Sequence, residues 1–181
     1  NSFAANKTHL PEAPITRLNE AGAQLAREAI DQYRQQSQSA EAFFVLGSVG
    51  PTLEVRESPL EARDIYREQI EALTSGGVDA LLLETFTSLL HVAVILEILQ
   101  EIPDAPPAIV HMALHQVGDQ WDQDPQLYAK TAADLGAQVL GVNCCTPAEA
   151  RAFFAAVQEL KPVQDGQVLL SAMPNGGDFQ R

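Results

Sequence analysis

Val78-Asp79-Ala80-Leu81-Leu82-Leu83-Glu84-Thr85 is the stretch on which the fold turns. Its first six residues have strand length, and all but Asp79 are apolar. A strand with one wet face alternates polar and apolar residues. One covered on both faces runs apolar nearly throughout, as in parallel sheets flanked by helices. Four more runs share the pattern, at residues 42–46, 108–114, 138–142 and 167–173. The first of them is expected to close at Gly47-Ser48-Val49-Gly50-Pro51, a segment poorly suited to continuing regular structure.

Helical stretches separate these runs. Residues 15–33 place Leu18, Ala21, Leu25, Ala29 and Ile30 on one helical face. A second helix opens at Pro59 behind a Ser58 N-cap and runs to about Ser75, where Gly76-Gly77 ends it. A third covers residues 88–101 and is stopped by Pro103, and a fourth starts at Pro125 and closes at Gly136. The last begins after Thr146-Pro147, a cap and a first-turn proline, and ends near Lys161-Pro162.

Strands and helices alternating over short connections imply right-handed βαβ units on a parallel sheet. Such a sheet stays open and doubly wound, or it curls into a barrel. No Gly-x-Gly-x-x-Gly turn follows any strand, which removes the strongest argument for the open form. No repeat, low-complexity segment or internal domain boundary interrupts the alternation.

Composition narrows the function. The chain has 181 residues, enough for one domain with a real core. Eleven basic against 24 acidic side chains give a net charge of −13. A nucleic-acid surface needs clustered Lys and Arg to replace counterions, and none is present. No apolar run approaches the roughly 20 residues that span a bilayer. Two adjacent cysteines, Cys144 and Cys145, cannot staple a fold at long range, which points to a reducing compartment, the cytoplasm. The chain opens at Asn1 without a Met and stops at Arg181 just after Gly176-Gly177, and is read as an internal stretch of a longer protein.

In βα folds the ligand site lies beyond the C-terminal ends of the strands. Those ends carry Gly47-Ser48, Glu84-Thr85, His115, Asn143-Cys144-Cys145 and Pro174-Asn175-Gly176. Glu84 follows three leucines, so its carboxylate either pairs with a basic residue of a neighbouring strand or receives a ligand ammonium group. Cys144 is either a small apolar filler or a reactive thiol; the helix opening at Thr146-Pro147 favours a thiolate there. Adjacent strand residues face opposite sides, so at most one of Cys144 and Cys145 faces the site. His111 reads as a core or strand-end histidine, and His9 and His91 as solvent-facing or capping residues. Asp119, Asp122 and Asp124 around Trp121 form a solvated acidic turn rather than a calcium loop, because the order of ligands and glycine is wrong. A Gly-x-Ser-x-Gly elbow is absent, and no lysine ends a strand, which disfavours serine and Schiff-base chemistry.

Taken in order, these strand ends resemble the homocysteine S-methyltransferase family. Asn1-Ser2-Phe3-Ala4-Ala5-Asn6 is similar to the end of that family's second strand, and Gly47-Ser48-Val49-Gly50-Pro51 to its third-strand turn. Residues 78–85 resemble the fourth strand, Gly141-Val142-Asn143-Cys144 the sixth, and Pro174-Asn175-Gly176-Gly177 the seventh. The resemblance implies an α/β fold, a (β/α)8 TIM-type barrel truncated at both ends, with residues 1–181 a partial homocysteine-binding domain holding about strands two to seven. It further implies a zinc-dependent transfer of a methyl group to the homocysteine thiol, giving methionine. Zinc would be held by three thiolates: Cys144 and a Cys-Cys pair of the eighth strand, beyond Arg181; Cys145 is neither of that pair. Glu84 would take the substrate ammonium, Asn175 would orient the amino acid, and Asn143 would support the substrate pocket and the metal-bearing strand. The partners implied are homocysteine and a small-molecule methyl donor, with cobalamin or folate acting through other domains. The isolated stretch is expected to be inactive. A non-catalytic, degenerate barrel acting as a structural or partner-dependent module is the alternative.

Overall fold

A computed structural model of the chain describes residues 15–38, 40–52, 60 and 62–175. Asn1–Asn6, His9, the Ser58-Pro59 helix start and Gly176-Gly177 lie outside the described residues. The elements in chain order are α1 (Ile15–Ser37), β1 (Leu46–Val49), α2 (Arg63–Ser75), β2 (Ala80–Phe86), α3 (Leu89–Glu101) and β3 (Ala108–Met112). Then come a hairpin of β4 (Gln116–Val117) and β5 (Gln120–Trp121), α4 (Pro125–Asp134), β6 (Val139–Asn143), α5 (Pro147–Val157), α6 (Lys161–Gln164) and β7 (Leu169–Met173).

Five of the strands form one parallel sheet in the order β1-β2-β3-β6-β7. The order never reverses along the chain. A doubly wound sheet reverses midway and carries helices on both faces; right-handed crossovers repeated in one direction put the helices on a single face. The helices pack accordingly in sequence, α1 on α2, α2 on α3, α3 on α4 and α4 on α5. This is the singly wound arrangement of barrel-type folds. Leu81, Leu83, Val110, Met112, Leu140 and Val142 belong to the core beneath the helices. The register puts Ser48, Leu82, Ile109, Gly141 and Ser171 on the opposite, concave face.

Element boundaries differ from those expected, each for a local reason. Strand β1 runs through Gly47-Ser48-Val49 instead of ending before them. A Cβ on Gly47 would lie 3.1 Å from side-chain carbons of Leu73 and Leu81 and 3.2 Å from Val78, so the bare backbone fits against the core and pairs with β2. The last helix splits into α5 and α6, because Pro162 suits the first turn of a new helix better than the interior of an old one. The buried face of α1 is also mostly not the expected one: Ile30 packs against the core, but Leu18, Leu25, Ala21 and Ala29 are exposed, while Ala23 is buried. Gly76 decides this, since a Cβ there would sit 2.7 Å from that of Ala23 and 2.8 Å from the Glu20 carbonyl. Only a small residue tolerates so close an approach, which turns the leucines outward.

Asp79, the polar break in the decisive stretch, ties three elements together. Its Oδ2 accepts from the Val45 amide (2.6 Å) and the Arg27 guanidinium (2.8 Å), and its own amide donates to the Val45 carbonyl (2.8 Å). The Val45 amide foremost, with Arg27 and against a smaller cost of burial, holds the Asp79 carboxyl below its ordinary pKa. The stability contributed by such a depressed carboxyl is complete above the unfolded value near 4 and is lost as pH falls through the native value. We expect Asp79→Ala to destabilise the chain by about 1–2 kcal/mol at neutral pH. Urea unfolding should show that gap to wild type narrowing as pH falls below about 4.

Candidate active site

The tip of β2 carries a β-bulge. Leu83 pairs with Val110 and Phe86 with Met112, so Glu84 and Thr85 together stand against the single residue His111. Thr85 takes a φ of 66°, a left-handed conformation that a β-branched residue adopts only under constraint. The constraint is Asn143, buried at the end of β6. Strand β3 stops one rung lower, and the Asn143 side chain reaches across its top. Its Oδ1 accepts from the Thr85 amide (3.0 Å), and its Nδ2 donates to Thr85 Oγ1 (3.1 Å) and, at longer range, to Glu84 Oε2 (3.5 Å).

Glu84 is half-buried on the concave face, and its Oε1 accepts a hydrogen bond from Ser48 Oγ (2.5 Å). Among the described residues it enters no ion pair. The reading of Glu84 as half of a structural salt bridge therefore has no partner there. What remains is an oriented carboxylate at the mouth of the sheet.

Cys144 follows β6 directly, with an exposed side chain and a φ of 54°. Its Sγ lies 3.6 Å from Thr85 Oγ1, so Asn143 and Cys144 both meet the bulged tip of β2. Cys145 is buried in the core, because the left-handed turn at Cys144 breaks the alternation of β6, and burial foremost pushes its thiol pKa up. It is a filler. The Asn175 amide donates to the Cys145 carbonyl (2.9 Å), which draws the exposed residue after β7 to the same tip. Helix α5 opens with a capping box of Thr146 and Glu149. Glu149 also accepts from the Gln116 amide (2.9 Å), so this carboxylate already occupies part of the helix's positive end. Although burial raises its pKa, the hydrogen bonds from Thr146 and Gln116, with His115, hold Glu149 below the usual value.

Other residues separate into structural roles. His91, expected at the surface, is buried, with its Nδ1 2.8 Å from the Tyr66 hydroxyl, which also accepts from the Thr52 amide (3.3 Å). The largely apolar helix α3 turns this face inward, and the imidazole's polar tip is met by the buried tyrosine. The acidic turn is partly the β4–β5 hairpin: Asp122 accepts from the His115 amide (3.1 Å) and Asp124 caps α4. A cleft of about 350 Å³ opens beside Thr85, lined also by Thr52, Ser88 and His91. For a metal, Cys144 offers one suitable exposed sulfur. No group of three His, Cys, Asp or Glu able to hold an ion occurs among the described residues, so they do not form a closed donor set.

A parallel, singly wound βα sheet with a thiol and a carboxylate at its C-terminal tips is an α/β arrangement of the barrel-type class, with these groups where such folds place their ligand sites. The chain belongs to the homocysteine S-methyltransferase family, whose family model matches residues 1–181. It is 29% identical over 192 residues to methionine synthase of Mycobacterium tuberculosis, covering 98% of this chain and 15% of that protein. It is 33% identical over 82 residues to the S-methylmethionine–homocysteine S-methyltransferase BHMT2 of Mus musculus, covering 45% of this chain and 22% of that protein. Its fold resembles the homocysteine methyltransferase MmuM of Escherichia coli in its metallated form, with a TM-score of 0.81 at 23% identity over 97% of this chain and 64% of that one. The apo form matches with a TM-score of 0.74. The chain thus spans a minor part of these curated relatives' length.

Because the Asn143 side chain bonds both residues of the bulge, we expect Asn143→Ala to cost about 2–3 kcal/mol, from the unpaired Thr85 amide and the released left-handed turn. Chemical unfolding measures this. Asn143→Asp should be no milder, since it sets a second carboxylate beside Glu84.

Proposed function

We propose that this chain is part of a barrel that transfers a methyl group to the thiol of homocysteine, giving methionine, with zinc as the resident metal. One observation carries the reading: an exposed cysteine and a carboxylate with no ion pair among the described residues stand at the tips of β6 and β2, either side of β3, and one asparagine side chain bonds the bulge at the carboxylate's end. Cys144 would hold the metal together with thiolates from outside residues 1–181, since Cys145 is the chain's only other cysteine and is buried. Zinc when bound supplies Lewis acidity that keeps a substrate thiol ionised at neutral pH.

The chain's own residues would do the positioning. Glu84 would receive the amino acid's ammonium group, trading the Ser48 hydroxyl for a charged partner. Asn175 would orient the amino acid from the neighbouring tip. Asn143 would keep the Glu84 carboxylate in place before the ligand arrives, so that little ordering is required on binding. Residues 1–181 would form strands two to seven of a closed (β/α)8 barrel, working in the cytoplasm. The methyl donor is a separate small molecule, with cobalamin or folate entering through other domains.

In the protein that carries this chain, Cys144→Ala should abolish stoichiometric zinc, measured by elemental analysis, together with methionine formation. Unchanged zinc content in that variant would sink the metal assignment and favour a barrel without this chemistry. Glu84→Gln should retain zinc and raise the KM for homocysteine about 10- to 100-fold, the worth of one charged hydrogen bond.

A further inference from the structure

His111 lies on the concave face beside the bulge, in register with Gly141 of β6 and opposite Glu84-Thr85 of β2. It is 0% exposed, and neither ring nitrogen has a hydrogen-bond partner among the described residues. A neutral imidazole always carries one N–H, and leaving it unpaired in a buried site is costly. Gly141 makes the room: a Cβ there would lie 2.7 Å from His111 Cδ2 and 2.8 Å from Nε2, and 2.0 Å from the Ser171 carbonyl. The ring is thus seated by design of the backbone rather than by its polar atoms.

The surroundings identify what it can answer to. From β6 it meets Gly141, and from β7 the neighbouring residue in register is Ser171, neither of them titratable. From β2 it faces Glu84, the one charge acting on it among the described residues. Burial, the larger influence, lowers the His111 pKa, and the Glu84 charge opposes that. A cation placed on Glu84 from outside would cancel the opposition.

We propose that His111 is a positioning residue for Glu84 whose protonated form competes with the ligand's ammonium group for that carboxylate, so that amino-acid capture is proton-linked. The inference rests on the reading of Glu84 as the ammonium site. Neutral His111 leaves Glu84 available. Protonated His111 supplies an internal counter-charge opposite the bulge on the adjacent strand. Linkage is reciprocal: a ligand that expels the proton binds more weakly where the proton is abundant.

The test is an NMR titration of the His111 ring in the protein that carries this chain, with L-methionine as the probe and N-acetyl-L-methionine as the control lacking an ammonium group. Saturating L-methionine should lower the His111 titration midpoint by about one pH unit, a tenfold change in proton affinity, and the control should not. The methionine Kd should rise as pH falls through the free protein's midpoint, and His111→Gln should flatten that slope. A midpoint unmoved by methionine, in a protein whose methionine binding is lost in Glu84→Gln, overturns the role of His111 alone. Methionine binding that survives Glu84→Gln removes the ammonium site, and this inference with it. The wild-type titration decides the matter even if His111→Gln fails to fold.

Discussion

Asn143 spans the top of β3 to hold a turn that the backbone would not adopt unaided. Left-handed φ values at Thr85 and Cys144 each cost about 1–3 kcal/mol unless surroundings over-determine them. The amide of Thr85, its hydroxyl and the carboxylate of Glu84 all meet one asparagine side chain. Cys144 follows that asparagine in sequence, so any shift of Asn143 moves the thiol and the carboxylate together. The site is two strand tips locked in a shared geometry.

Much of this was legible because burial on both faces leaves a composition signal. Nearly unbroken apolar runs located four of the five sheet strands, with the run at 42–46 touching β1 only at Leu46, and prolines and glycines placed most helix ends within a few residues. The sequential strand order, which argues for a barrel-type arc, is not written in any one run; it emerges from pairing. Strand ends blurred where a residue's value lay in what it lacks. Gly47 reads as a turn residue in sequence, yet its missing side chain keeps it in the strand. Gly76 similarly overrode the periodicity of α1, because a close backbone approach outweighs the burial of two leucines that solvent tolerates.

The site followed the same division. Glu84 and Cys144 stood out as polar or reactive residues ending apolar strands. Their coupling through Asn143 did not, since a bulge and a side chain crossing a third strand leave no periodic trace. His91 was misplaced for a related reason: its partner, Tyr66, is 25 residues earlier on another helix, and only packing brings the ring and hydroxyl within 2.8 Å. His111 was correctly read as a core histidine, but sequence alone gave no hint that its ring nitrogens would lack partners.

The two cysteines show how little separates structure from chemistry. They are neighbours, share a helix start and differ by one step of the backbone. The left-handed turn at Cys144 lifts its sulfur into solvent beside Thr85, while Cys145 returns to the core and gives its carbonyl to Asn175. Burial keeps the second thiol protonated and inert. Had Cys144 continued as extended strand, its side chain would have joined Leu140 and Val142 on the core face, away from Glu84. The bulge across the sheet and the turn after β6 are therefore one device, and the asparagine between them makes an exposed sulfur into a positioned one.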